Sequence, residues 1–271
     1  LALGHSARDT FEMLHGAGLH MEQKPFAVGV RIEHRQSDMD AAQYRALAGH
    51  PSLPPSTYKL SCHPDNGRSA FSFCVCPGGQ VVAAASEAGR TVTNGMSAYA
   101  RDGENINGAL LVNVTPADFP SAHPLAGMEW QRQLEAAAYA LTGGYDAPCQ
   151  RVEDFLAGRP SAGPGLVKPT YRPGVVYTDL HRCLPPFVSE TLALALPALG
   201  RRLRGYDSPD ALLTGVETRS SSPVKLTRDE HYEANIRGVY PCGEGAGYAG
   251  GILSAAADGM RCAEKLLEVY R

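Results

Sequence analysis

The sequence predicts a mixed α/β and α+β fold, with a strand-rich middle set between two ends that alternate strand and helix. Three observations carry this. Between residues 56 and 96 short apolar runs are broken by the turn signals Pro64–Gly67, Pro77–Gly79 and Glu87–Gly89, the pattern of antiparallel strands. Met128, Leu134, Ala138 and Leu141 recur at helical spacing. The chain closes with a short apolar run, a glycine-rich loop and a long amphipathic stretch, which reads as strand, turn and helix.

Taken in order, "LALGHSARDTFEMLHGAGL" reads as strand, glycine turn and helix. Ser6 or Asp9 is placed to cap that helix, Phe11 and Leu14 share a face, and Gly16 and Gly18 offer a stop. A strand follows over Phe26–Glu33. "STYKLSCH", "RSAFSFCVC", "QVVAAAS" and "RTVTNG" form a β-meander, with Asn66-Gly67 as its hairpin signal. Another strand covers Ala109–Val114. "LAGMEWQRQLEAAAYALTGG" is a helix ended by Gly143-Gly144. The Pro- and Gly-rich stretch Arg159–Pro173 is a loop. A second helix runs from Val188 to Leu203, kinked at Pro197. "ALLTGVETR", "SPVKLTR" and "RGVYPC" read as strands, and "GGILSAAADGMRCAEKLLEVY" as the last helix.

The 271 residues suffice for one large domain or two modest ones. Hydrophobic residues at 44% and charged residues at 20% are ordinary for a globular chain. The net charge is -3 and no Lys/Arg stripe appears, which argues against nucleic acid as a partner. Arg201, Arg202 and Arg204 follow a helical stretch and complement its C-terminus. Seven cysteines, an odd count without C-x-x-C spacing, argue against a disulfide framework and against zinc. They point to a reducing, cytoplasmic compartment. No metal-ligand pattern stands out. No apolar run approaches about 20 residues, so no membrane span is expected. The chain has no starting Met and opens in an apolar stretch, which reads as the middle of a longer protein.

The closing loop "GEGAGYAGG", Gly243–Gly251, fits G-x-G-x-x-G at Gly245, Gly247 and Gly250. In a dinucleotide-binding unit a second strand and an acidic residue follow about 20 residues later. Here that position is Tyr270, so the literal match fails. No Gly-Lys-Ser/Thr follows either. The local physics still suits an anion, because glycines allow close backbone approach and a helix start presents unpaired N–H groups. Glu244 could accept hydrogen bonds from sugar-like hydroxyls. A tight strand-to-helix turn, with glycines for close packing, accounts for the same residues equally well.

"GVYPCGEGAGYAGGILSAAADGMRCAEKLL" resembles the second, C-terminal FAD motif of the glutathione-reductase-like flavoprotein superfamily. Together with "ALGHSARDTFEML", "KPFAVGVRIEH", "FSFCVCPGG", "TNGMSAYARD" and "LTGVETRSSSPVKL", it gives the whole chain a resemblance to the FAD-dependent, or NAD(FAD)-utilising, dehydrogenases. The resemblance implies a partial FAD-binding α/β domain, residues 1–27 and 211–271, with an inserted strand-rich substrate domain, residues 28–210, carrying two helices. It implies that an N-terminal dinucleotide-binding unit of the same protein supplies the rest of the FAD site, so that this chain alone holds FAD poorly and is inactive. Glu244 would bond a ribityl hydroxyl. Gly243, Gly245, Ala246 and Gly247 would bring backbone amides to the pyrophosphate. Gly250, Gly251 and Ile252 would aim a helix start at the flavin's pyrimidine edge, and Gly4, His5 and Ser6 would pass on the other side. NAD(P)H is the implied electron donor and a small molecule the substrate.

"VETRSSSP" clusters Glu217, Arg219 and three serines. It reads either as a solvated strand end with a salt pair, or as a catalytic contact in which Arg219 binds an anion. Cys74 and Cys76 share a strand face about 6.6 Å apart by strand rise, near the limit for a disulfide. Two small strand residues is the simpler account of them, and a packing residue that of Cys242. His5, His34 and His181 read from the residues alone as surface or satisfied histidines. Two rivals to the flavoenzyme are a thiol-dependent reductase using Cys74, Cys76 or Cys242, and a non-catalytic scaffold.

Overall fold

The computed structural model describes residues 1–269. In chain order the elements are α1 (Arg8–Gly16), β1 (Met21–Gln23), β2 (Phe26–Arg35), α2 (Gln36–Tyr44), β3 (Ser61–Cys62), β4 (Ala70–Cys76), β5 (Gly79–Ala83), β6 (Thr93–Ser97), β7 (Asn105–Val114), α3 (Ala126–Thr142), β8 (Ala147–Arg151), α4 (Val152–Leu156), β9 (Val175–Tyr177), α5 (Pro186–Gly200), β10 (Leu212–Glu217), β11 (Val224–Leu226) and α6 (Ile252–Val269). The chain divides into two compact units. The first gathers Leu1–Ala27, Val114–Gln133 and the residues from Arg219; the second gathers Val28–Asn113 and Leu134–Thr218. The fold is mixed, as expected. The contact-based units sort two stretches differently from the sequence-based segments. Residues 114–133 fall in the first unit, and 211–218, as β10, fall in the second.

The second unit is built on a seven-stranded sheet of order β3-β4-β7-β2-β10-β8-β9. Its β8–β9 pair is parallel, whereas β3–β4, β4–β7, β2–β10 and β10–β8 are antiparallel. Strand β2 is buried from Phe26 to His34, and β7 is buried at all but one position. That is the pattern of central strands covered on both faces. It also sets the demand for glycine at Gly29, where a Cβ would overlap the Leu110 carbonyl. Helix α5 packs against β3 and β4 with Val188, Leu192, Ala195, Leu196 and Leu199 buried, and Pro197 sits in its last turn.

The expected meander is interrupted. Strand β4 pairs with β7, while β5 and β6 form a separate two-stranded sheet. The break follows a bulge between Phe73 and Cys76, which turns a strand away from its neighbour.

In the first unit, Phe11, Leu19, Met21, Leu125, Met128, Val224, Leu226 and Ala246 form the core, and β1 pairs antiparallel with β11. Two expected strands are absent. Arg237 and Gly238 lie in a turn, and Leu1–Gly4 and Val239–Cys242 form no ladder. They meet through a single pair of bonds, Leu1 N to Tyr240 O at 2.7 Å and Cys242 N to Leu1 O at 3.0 Å, and Pro241 has no N–H to extend the ladder. Neither Ser6 nor Asp9 caps α1. The residue before it is Ala7, with no side-chain cap, and Asp9 lies in the first turn. Tyr270, expected in the last helix, lies outside the described residues.

Candidate functional site

In the first unit the closing loop runs from Gly243 into α6, which begins at Ile252 as expected. Asp258, in the second turn of α6, fastens the loop's base. Its carboxylate accepts the Gly243 N–H at 2.7 Å and is gripped by two Arg228 nitrogens at 2.6 and 3.0 Å. That cation and the N–H hold the Asp258 carboxyl below its usual range despite burial. The loop closes on itself through Gly247 N to Glu244 O and Tyr248 N to Gly243 O. Gly243 and Gly247 adopt φ of 79° and 87°, where L side chains are strained.

The loop meets the N-terminal turn backbone to backbone. A Cβ on Gly245 would lie 2.6 Å from the Gly4 carbonyl carbon and oxygen. Only glycine permits this crossing. It brings His5 and Glu244 together, with Nε2 and Oε1 3.6 Å apart. Around Gly250 a Cβ would meet nothing within 4 Å. The first N–H groups of α6 beside it have no partner within the helix. Ala246 is buried in the core, Gly251 half-buried, and Gly4 and Ser6 exposed.

The electrostatics at this crossing keep the His5 imidazole neutral near pH 7. Burial, reinforced by Arg219, Arg8 and Lys24, pushes His5 down to about 4. Burial raises the Glu244 carboxyl against the pull of Lys24. The His5–Glu244 contact is therefore not an ion pair near neutral pH: desolvation and three cations outweigh one carboxylate. The His5 Nδ1 is buried without a hydrogen-bond partner.

A pH prediction follows from the depressed His5 value. Below the usual 6.5 the unfolded chain takes the proton first, so stability present above pH 6.5 is lost as pH falls through about 4. At about 1.4 kcal/mol per pKa unit the loss approaches roughly 3 kcal/mol. Urea unfolding at several pH values should show His5→Gln lacking most of this acid limb; an identical limb in both proteins rules His5 out as its source.

The serines of "RSSSP" are committed to the backbone or to Lys24. Ser220 Oγ donates to Ala27 O at 2.6 Å. Ser221 Oγ accepts from Lys24 Nζ at 3.0 Å. Ser222 Oγ is 2.7 and 3.1 Å from the Val224 and Gly245 carbonyls, tying this segment to the glycine loop. Arg219, only 8% exposed, belongs to the first unit and acts on His5 by its charge.

Glu217 belongs to the second unit, and its partner there is Arg31, a residue the sequence reading did not single out. Arg31 is fully buried on β2. Its Nη1 donates to both Glu217 oxygens at 3.2 Å, its Nε and Nη2 to Asn107 Oδ1 at 3.1 and 2.8 Å, and its Nη2 to the Cys74 carbonyl at 2.8 Å. The guanidinium lies against the backbone of Gly95, where any Cβ would overlap it. Burial pushes the Glu217 carboxyl up to about 7 against the pull of Arg31. The missed signal was an arginine and a glutamate, Arg31 and Glu33, alternating with apolar residues in a buried central strand. Glu33 is equally buried and accepts from Thr170 and Asn105. Among the described residues no group of His, Cys, Asp and Glu is arranged to hold a metal ion, and no helix is long and apolar enough to cross a membrane.

Residues 25–220 match the family model described as "FAD-dependent protein, C-terminal domain-like". The chain belongs to this family. The matched stretch contains Arg31, Cys74, Cys76, Glu217 and Arg219, while the glycine loop lies beyond it. The chain is also 49% identical, over all of its length, to an uncharacterized protein of Clostridium beijerinckii (strain ATCC 51743 / NCIMB 8052), of which it covers 51%. The family member described here thus spans about half the length of that curated relative.

Proposed function

We propose that the chain is the C-terminal part of an FAD-dependent oxidoreductase, and that the Gly4–Gly245 crossing, Glu244 and the start of α6 hold one side of the cofactor. The crossing carries this reading. It is a backbone crossing that only glycine allows, edged by a carboxyl and an unpartnered imidazole nitrogen, in a chain of an FAD-dependent family. These groups fit a cofactor rich in hydroxyls and phosphates.

Bound flavin would supply the electron transfer itself. The chain's residues bind and orient it. Glu244 accepts a hydrogen bond from a ribityl hydroxyl. The amides of Gly245 to Gly247 approach the pyrophosphate, with Gly243 setting the turn. Gly250, Gly251 and Ile252 start α6 at the pyrimidine edge, where the helix's positive end favours negative charge. Gly4, His5 and Ser6 border the other side, and His5, held neutral, offers a hydrogen bond without adding charge. Arg219 binds an anionic group of the small-molecule substrate. Glu217 acts through Arg31 as a positioning residue. NAD(P)H is the electron donor and the compartment is the cytoplasm.

The partner in this reading is the N-terminal part of the same protein. Two features support it: the curated relative has about as much sequence again outside the matched stretch, and α6 leaves Ile252, Leu253 and Met260 89%, 85% and 66% exposed.

Glu244→Ala in the intact protein is expected to lower FAD affinity by roughly tenfold, the value of one charge-assisted hydrogen bond, without lowering the melting temperature of the apoprotein. Flavin absorbance after gel filtration reads the occupancy. Full occupancy in the variant would sink the assignment.

A further inference from the structure

Cys74 and Cys76 stand apart from the other five cysteines. Strand β4 carries a bulge there, and Cys74 sits in it with a φ of 43°, a left-handed conformation that a non-glycine residue rarely takes. Such outliers gather at functional sites. The bulge turns the Cys74 side chain out to solvent while Cys76 stays buried. Cys76 folds back, its Sγ 3.5 Å from the Cys74 carbonyl. The regular strand spacing that argues against a bridge between alternate residues is therefore absent here. Arg31 is fixed beneath both, its Nη2 bonded to the Cys74 carbonyl at 2.8 Å and 3.6 Å from the Cys76 sulfur. Glu217 and Asn107 hold that guanidinium in place.

We propose that Cys74 and Cys76 form a reversible dithiol/disulfide couple, with Cys74 as the attacking thiolate and Cys76 as the resolving thiol, acting on small disulfides. Cys74 sulfur attacks one sulfur of R–S–S–R, a Cys74–S–S–R bond forms, and RS⁻ leaves and takes a proton. Cys76 then loses its proton and attacks the Cys74 sulfur. The Cys74–Cys76 bond forms and the second RS⁻ leaves. The dithiol is oxidised by two electrons and the small disulfide is reduced to two thiols. A small dithiol resets the couple by the reverse exchange.

The surroundings assign the roles. The hydrogen bond from Cys76, with the Arg31 charge, draws the Cys74 thiol down to about 6, while the same hydrogen bond and burial push Cys76 up. An exposed thiolate beside a buried thiol is the order that attack followed by resolution requires. Elsewhere burial pushes Cys149 and Cys183 up to about 12 and raises Cys62 and Cys262. This couple needs no flavin, so its failure and the failure of the flavin reading are distinguishable.

The test uses the reduced chain as it stands. Limited iodoacetamide at several pH values, with the labelled cysteines mapped by mass spectrometry, should modify Cys74 at least about tenfold faster than any other near pH 7, with a rate midpoint near 6. Glutathione disulfide should then convert the wild type to a species lighter by two hydrogens, with Cys74 and Cys76 in one linked peptide. Cys76→Ser should stop at a glutathione adduct on Cys74. Uniform labelling of the cysteines, or a Cys74 midpoint in the ordinary thiol range, overturns the proposal without any variant being made. So does a wild type that halts at the glutathione adduct.

Discussion

Replacing Glu217 with alanine is expected to destabilise the chain by about 3–5 kcal/mol, the cost of leaving one member of a buried ion pair alone. Arg31 cannot shed its charge, and its side chain is fully buried. Its remaining hydrogen-bond partners would be the carbonyl of Cys74, the Asn107 oxygen and the Cys76 sulfur. Glu217→Gln keeps an acceptor and should cost less. Denaturant midpoints at pH 8, where the carboxylate is ionised, check both. A change under about 1 kcal/mol for Glu217→Ala would mean that water or a neighbouring group reaches the guanidinium, contrary to the burial described.

Gly245→Ala should be a damaging single-methyl change in the first unit. The new Cβ would sit 2.6 Å from backbone atoms of Gly4, which cannot rotate away as a side chain can. Separating the two segments costs about 1–3 kcal/mol by the usual penalty for overpacking, and the intact protein should lose FAD retention with it. Gly250→Ala is the matched control. Nothing lies within 4 Å of its Cβ position, so stability should move by less than about 0.5 kcal/mol. Thermal unfolding of the two variants side by side makes the comparison. Equal stabilities would show that the crossing yields easily and is no constraint.

Elements with a strong apolar rhythm were legible in the sequence: β2, β4, β7, α3, α5 and α6 all lie where the residues place them. Those that were missed lack that rhythm. Helix α2 reads "QSDMDAAQY" and buries only Gln36 and Met39. Strand β8 reads "APCQR" and is buried through Gln150 because neighbours cover it on both sides in the sheet. "RGVYPC" has the composition of a strand, yet it opens in a turn and its end meets Leu1 without forming a ladder.

The glycine loop was legible because close backbone approach demands glycine. Its partner Gly4 was reached only through the family resemblance. The Arg31 cluster was hidden for a physical reason. Its members, Arg31, Cys74, Asn107 and Glu217, come from four strands, and no local window contains more than one of them together with its charge partner. Cys74 and Cys76 read as plain strand residues because a bulge depends on pairing register, which a single strand does not display.

The three-part make-up of the first unit bears on how the chain acquires its structure during synthesis. Met21 pairs with Leu226, so α1 and β1 leave the ribosome long before their partners exist. At roughly 5–20 residues per second, that wait is on the order of 10–40 s. Residues Val28–Thr218, which contain the whole second unit, have all been made before Arg219 appears. The central sheet can therefore mature while Phe11, Leu19 and Met21 are still without their core partners, Val224 and Leu226. Residues 1–21 therefore wait for the residues from Arg219 onward before their core can close.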